Sequence, residues 1–161
     1  MYEALQPKLT REIIYKPQTA KNIALQLRRA IRESKPAANV IKYKFRGKSR
    51  YTTCFNVYNY LRRRLKYVAE PASLQSAKTI PRILYDGKGD CKHYTVFACS
   101  VLSSLGIPCQ MRLISQSLFK PEPTHIYCVA YNKDGSEIIV DPCISTFNRE
   151  ARRFYKYNLN I

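Results

Sequence analysis

The stretch CKHYTVFACSVLSSLGIP, residues 91–108, and the three apolar runs after it constrain the fold of this chain most. The spacing predicts an amphipathic helix over about 91–105, stopped by Gly106 and Pro108. CQMRLIS (109–115), THIYCVAYN (124–132) and SEIIVDP (136–142) then read as strands. Between the last two, Asp134-Gly135 is a strong hairpin signal, so at least that pair should run antiparallel. A helix that leads into a short antiparallel sheet, with further helices ahead of it, makes the expected class α+β.

Upstream, TAKNIALQLRRAIRESK (19–35) has apolar residues at helical spacing, with Thr19 as N-cap and a stop before Pro36. In VIKYKFRGKSRY, Lys42, Lys44, Arg46, Lys48 and Arg50 occupy every second position. If extended, this segment presents one cationic edge; Gly47 leaves a mobile basic loop as the alternative. A second helix is expected from about Thr52 to Tyr67, with Phe55, Tyr58, Leu61 and Leu65 on one stripe. Arg62, Arg63 and Arg64 fall near its C-terminal end, where the helix dipole favours positive charge. Residues 70–90 read as a long connection, and the tail FNREARRFYKYNLNI has no assigned element.

With 161 residues, the chain can build a core as one domain without disulfide staples. No run reaches the roughly 20 apolar residues of a membrane span, and the N-terminus lacks the apolar core of a secretion signal. The expected setting is therefore cytoplasmic. The net charge of +17 is lopsided: residues 1–90 carry 20 Lys/Arg against 6 Asp/Glu, and residues 91–161 carry 8 against 5. That basic half suits a polyanionic neighbour such as nucleic acid, through Lys42, Lys44, Arg46, Lys48, Arg50, Arg62, Arg63 and Arg64. The bland alternative is a solvated charged face.

The six cysteines show no CxxC pair and no close Cys/His cluster, and only two histidines are present. The reading is therefore free thiols, no metal site and no cofactor; a disulfide framework would need a secreted setting. Cys99, Cys109 and Cys128 fall at apolar positions and read as core.

Cys91 differs from these. At the first turn of its helix, unpaired amides and the helix dipole favour a thiolate, the nucleophilic form of cysteine. Such a nucleophile needs a base and an orienting partner. His125 opens the second strand, and Asp141 ends the third. A turn centred near Asp134 brings position 125 opposite 142 or 143, within reach of Asp141 across strands about 4.8 Å apart. An inert thiol and an ordinary strand histidine are the competing readings. His93 is expected at the surface or the cleft rim, Asp90 as a helix cap, and Cys143 near the cleft without a role. The oxyanion hole would use the Cys91 N–H and either the Gln75 side chain or an amide near Lys88.

With GDC opening the helix, LGIP closing it, then THIYCVAY and IIVDP in that order, residues 51–148 resemble the transglutaminase-like superfamily of papain-type cysteine enzymes. The proline-rich approach and DPCISTFNRE look most like members from bacteriophage and prophage structural regions. The resemblance implies a papain-like fold with Cys91 as nucleophile, His125 as base and Asp141 as orienting acid. It divides the chain into a basic N-terminal extension (1–50), a catalytic domain (51–148) and a basic, aromatic tail (149–161). Lys92 and His93 stand where many members have an acidic residue, and Tyr127 follows the histidine where many have Trp; both departures are expected to alter the substrate side of the cleft. The implied chemistry is acyl transfer on a protein or peptide. Peptidase, deamidase and crosslinking transglutaminase all remain open, with hydrolysis first. The rival is a basic virion or scaffold protein that contacts DNA or protein without catalysis.

Overall fold

The computed structural model describes residues 11–14, 20–71 and 74–161. In chain order its elements are β1 (Arg11–Ile14), α1 (Ala20–Ile41), a 3₁₀ turn (Lys42–Phe45), α2 (Arg50–Arg64), β2 (Lys66–Tyr67), β3 (Gln75–Lys78), α3 (Ile80–Asp86) and β4 (Lys88–Gly89). α4 (Cys91–Ser104), β5 (Cys109–Ser115), β6 (His125–Tyr131), β7 (Glu137–Val140) and β8 (Tyr155–Asn160) complete the chain.

The fold is α+β. Its main sheet is antiparallel, in the order β7-β6-β5-β8. The three strands expected from the sequence form its centre and one edge, and the unassigned tail supplies β8 on the other edge. The Asp134-Gly135 hairpin is present: Asn132 N–H donates to the Ser136 carbonyl over 2.9 Å, and Gly135 takes the left-handed φ of 83° that this turn requires.

α4 lies between α1 and the face of β6. Every residue from Lys92 to Leu102 is buried. The expected amphipathic helix is therefore a central, enclosed helix, whose buried Thr95 and Ser100 hydroxyls donate to the Cys91 and Val96 carbonyls. Asp90 caps it as anticipated, accepting from Lys92 N–H over 3.0 Å.

α1 departs from expectation by continuing through Pro36 to Ile41. Proline removes one amide from the helix ladder. Ala38, fully buried beyond it, and Ile41 pack into the core and hold the extra turn. α1 is thus part of the core through Ala24, Leu27, Ala30 and Ile31, and is not an appendage to it. The expected N-cap Thr19 lies outside the described residues.

The cationic extended edge does not form. Lys42–Phe45 is a 3₁₀ turn, because Phe45 folds inward against Tyr60 and Phe97 at ring separations of 5.2 and 5.9 Å. An aromatic anchor in mid-segment overrides the alternation of charge. In the connection before α4, β3 pairs with β1, and β2 pairs in parallel with β4.

Across the sheet, Arg112 is fully buried and donates to Glu137, Glu150 and the Asn158 side chain. This cluster fastens β5 to β7, β8 and the segment between them. Among the described residues, no helix is long and apolar enough to cross a membrane.

Candidate active site

Gly89, Asp90 and Cys91 form the junction between β4 and α4. A Cβ on Gly89 would sit 2.8 Å from the His93 Cβ, so only glycine lets the strand pass this close to the helix. His93 is fully buried, not at the rim as its position after Cys91 suggested. Its Nδ1 accepts from Asp90 N–H over 3.1 Å, and its Nε2, the protonated nitrogen in that tautomer, donates to the Ser76 carbonyl over 3.1 Å. One imidazole therefore ties the helix start to β3 and takes the reciprocal place of Glu or Gln in a capping box.

Cys91 occupies the first position of α4, half-buried, with a backbone N–H that has no partner within the helix. It opens onto a cleft of about 310 Å³ lined by Tyr67, Glu70, Gln75, Glu122 and His125 among others. The β6–β7 register pairs Cys128 with Val140, so its extension sets His125 opposite Cys143. Asp141 is the diagonal neighbour two residues back, on the same face as His125. His125 Nε2 and Asp141 Oδ2 are 2.7 Å apart, and Asp141 is 2% exposed. The other carboxylate oxygen accepts from Cys143 N–H over 3.1 Å.

Burial alone would lower the His125 pKa. Hydrogen bonds to Asp141 and Cys91, together with their charge, outweigh it and raise the imidazole to about 10. Nε2 is bonded to Asp141, which leaves Nδ1 as the remaining ring nitrogen. Cys91 and His125 line one cleft and Asp141 is bonded to the histidine, so the three make one set. Cys143 lies beside them, its thiol pushed well up by burial and by the Asp141 and Cys91 charges. That thiol stays protonated and is a neighbour of the set, not a second nucleophile.

Several residues that support this geometry were given no part at the site by the sequence reading. The ladder of β2 with β4 sets Tyr67 beside Gly89. Its phenol lines the cleft and is held neutral by burial and by the nearby Cys91 and Cys143. The Tyr58 hydroxyl donates to the Ile144 carbonyl over 2.7 Å, and Arg62 Nη1 donates to the Pro142 and Ile144 carbonyls, each over 3.0 Å. Both brace the segment that follows Asp141. Only the tertiary pairing of α2 with that segment could reveal them.

Gln75 lies on the cleft wall, but its amide donates to the Glu70 and Pro71 carbonyls over 3.0 and 2.8 Å. It therefore closes its own loop instead of facing an oxyanion. Lys88 sits in β4, paired with Lys66. Lys92 lines the cleft, with its ammonium turned inward to Asp90 and, at 3.8 Å, to Glu70. Tyr127 packs its ring 5.6 Å from that of His125, while its hydroxyl donates to Glu150 on the side away from α4. Of the expected departures, His93 and Tyr127 are therefore buried supports, and Lys92 alone reaches the cleft.

The basic residues differ in what they bond to. Lys42 donates to the Ser104 carbonyl over 2.9 Å and Arg50 to the Tyr131 carbonyl over 3.0 Å, while Arg62 braces the acid segment. Lys44, Arg46, Lys48, Arg63 and Arg64 are exposed, with Arg46 over the Tyr43 ring.

Among solved structures, the fold is similar to that of a candidate protease from Parabacteroides distasonis, with a TM-score of 0.59 and 11% identity over 79% of this chain and 26% of that one. It is also similar to a candidate cysteine protease from Cytophaga hutchinsonii, with a TM-score of 0.56 and 17% identity over 82% of this chain and 48% of that one. The chain thus spans about a quarter of one protein and about half of the other. A comparison with curated proteins finds no match. The sequence pattern of the transglutaminase-like superfamily matches residues 42–142, from the 3₁₀ turn through the proline after Asp141. By that match, and by the fold it shares with these structures, the chain belongs to the transglutaminase-like superfamily.

Proposed function

We propose that this chain is a cysteine-dependent acyl-transfer enzyme that hydrolyses peptide or carboxamide bonds, with Cys91 as nucleophile, His125 as acid and base, and Asp141 as orienting acid. The observation that carries this reading is the 2.7 Å bond between His125 and Asp141 beside a cysteine at a helix start.

The Cys91 thiolate attacks the carbonyl carbon, forming a C–S bond and a tetrahedral oxyanion. The Cys91 backbone N–H supplies one donor to that oxygen. The C–N bond then breaks as the His125 imidazolium protonates the leaving amine, giving a thioester. Neutral His125 next takes a proton from water, whose oxygen attacks the thioester; the C–S bond then breaks and the carboxylic acid leaves, which restores the thiolate and the imidazolium. Asp141 holds the ring and stabilises its cationic form throughout. Cys91 lies half-buried on a cleft with exposed walls at Ala69 and Glu122, so water reaches the thioester. This favours hydrolysis over transfer to a second amine, which needs water kept out.

The rival reading, a basic protein that contacts nucleic acid or a virion component without turnover, rests on the charge alone. The experiment that separates the two is reaction with a thiol-directed electrophile and with amide substrates, followed by mass spectrometry. Preferential labelling of Cys91 that is lost in Cys91→Ala and slowed in His125→Ala, with an acyl-enzyme of matching mass, is the expected result. Labelling of Cys91 no faster than of other accessible thiols, with no acyl-enzyme, would overturn the enzyme reading.

A further inference from the structure

Three cysteines far apart in sequence meet at the sheet-facing side of α4, away from Cys91. Cys99 comes from the middle of α4, Cys109 opens β5, and Cys128 lies in β6. The β5–β6 register pairs Cys109 with Ala130 and Met111 with Cys128, so Cys109 and Cys128 are diagonal neighbours on one face. That face packs on α4, where Cys99 points down onto them. The three sulfur atoms all lie within 4.8 Å of one another. Cys99 and Cys128 are fully buried and Cys109 is half-buried, so the group has one side through which an ion can enter.

We propose that Cys99, Cys109 and Cys128 form a three-thiolate site for a soft, thiophilic metal ion, with Cu(I) as the ion whose coordination it fits. An ion bound to three thiolates at about 2.3 Å sets the sulfurs about 4.0 Å apart. The thiols therefore need to close by less than about 1 Å, within the reach of rotamer adjustment. The ligand set decides the class of ion. Sulfur alone selects soft ions, whereas magnesium and calcium require oxygen. Structural zinc takes four protein ligands, and this group offers three among the described residues. Cu(I) is at home with three.

Binding exchanges three S–H protons for one monovalent cation, with the protons released to solvent and no change of oxidation state. The site then carries two negative charges, which the net charge of +17 on the chain offsets in part. The sequence reading excluded metal because no two of these cysteines form a short motif; the ligands converge through strand register and helix packing instead. The proposal does not rest on the acyl-transfer reading, because none of the three residues belongs to the cleft.

The test is an anaerobic Cu(I) titration against a chromophoric Cu(I) chelator. It uses the full chain with Cys91→Ala and Cys143→Ala, which removes the thiols near the cleft. One equivalent should be retained, with the luminescence of a water-shielded copper–thiolate centre, and Cys109 should become resistant to alkylation. Cys109→Ser, at the half-buried corner, should weaken retention by at least about 100-fold, since even loss of an outer-sphere partner costs 10–100-fold. No retained equivalent, or Cu(I) held equally well by the Cys109→Ser protein, would overturn the site. If Cys109→Ser does not fold, the alkylation experiment on the cluster-intact protein decides alone: unchanged Cys109 reactivity in the presence of Cu(I) refutes the proposal.

Discussion

The backbone N–H of Asp90 donates to Nδ1 of His93 over 3.1 Å, so the start of the helix that bears Cys91 is capped by a buried imidazole. The same ring reaches the Ser76 carbonyl on β3, and the candidate nucleophile is thereby held between two elements that share no sequence neighbourhood. His93→Ala leaves the buried Asp90 N–H unpaired, takes a donor from the Ser76 carbonyl and removes a packed ring, which should cost about 3 kcal/mol in chemical denaturation. Cys91 labelling should slow with it. His93→Gln, which supplies an acceptor and a donor at similar reach, should restore part of both.

Gly89 tests the same junction from the strand side. A methyl group there meets His93 at 2.8 Å, and the ring is enclosed on all sides. Gly89→Ala should therefore destabilise the fold by about 1–3 kcal/mol, the usual range for overpacking. Loss of activity should exceed what the stability change explains, because the displaced element is the one that ends at Cys91.

The His125 imidazole, raised to about 10 by Asp141 and Cys91 against the opposing effect of burial, is cationic at neutral pH. A group whose pKa is higher folded than unfolded binds more protons in the native state, so its stabilisation is complete below the unfolded value of about 6.5. That contribution is lost progressively as pH rises from about 6.5 to 10. Urea midpoints measured across this window should fall with pH in the wild type, and the slope should flatten in His125→Ala. The rate of acylation should also decline through an alkaline limb near pH 10, where the acid that protonates the leaving amine is deprotonated.

Arg112 is fully buried and ion-paired to Glu137 and Glu150. Arg112→Ala removes a fully buried side chain and its bond to Asn158, whereas Glu137 and Glu150 are partly exposed and reach water, so the expected loss is about 1–3 kcal/mol, below that of a fully buried pair. β8 should be the first strand to lose hydrogen-exchange protection, because it pairs with β5 alone among the described residues and Asn158 on it bonds Arg112.

The sequence by itself determined the local elements around the site. The helix from Cys91, its Asp90 cap, its Gly106 stop and the Asp134-Gly135 hairpin all follow from short-range chemistry, which depends on side chains within a few residues of one another. That hairpin also put Asp141 within reach of His125, because a two-residue side-chain period carries register along a strand pair. Where long-range packing competes with local pattern, tertiary structure decided. Phe45 turned an alternating basic segment into a 3₁₀ turn, Ala38 drew a helix past Pro36, and β8 formed from a tail with no periodic signal of its own. The fate of polar side chains was decided in the same way. His93, Gln75 and Arg62 looked free for solvent or substrate, yet each satisfies backbone groups: Gln75 in its own loop, and His93 on β3 and Arg62 after Asp141 only because the folded chain brings those carbonyls near. The six cysteines divide on the same ground: Cys91 is marked by its own helix end, whereas Cys99, Cys109 and Cys128 become a group only when a strand register and a helix face are superimposed.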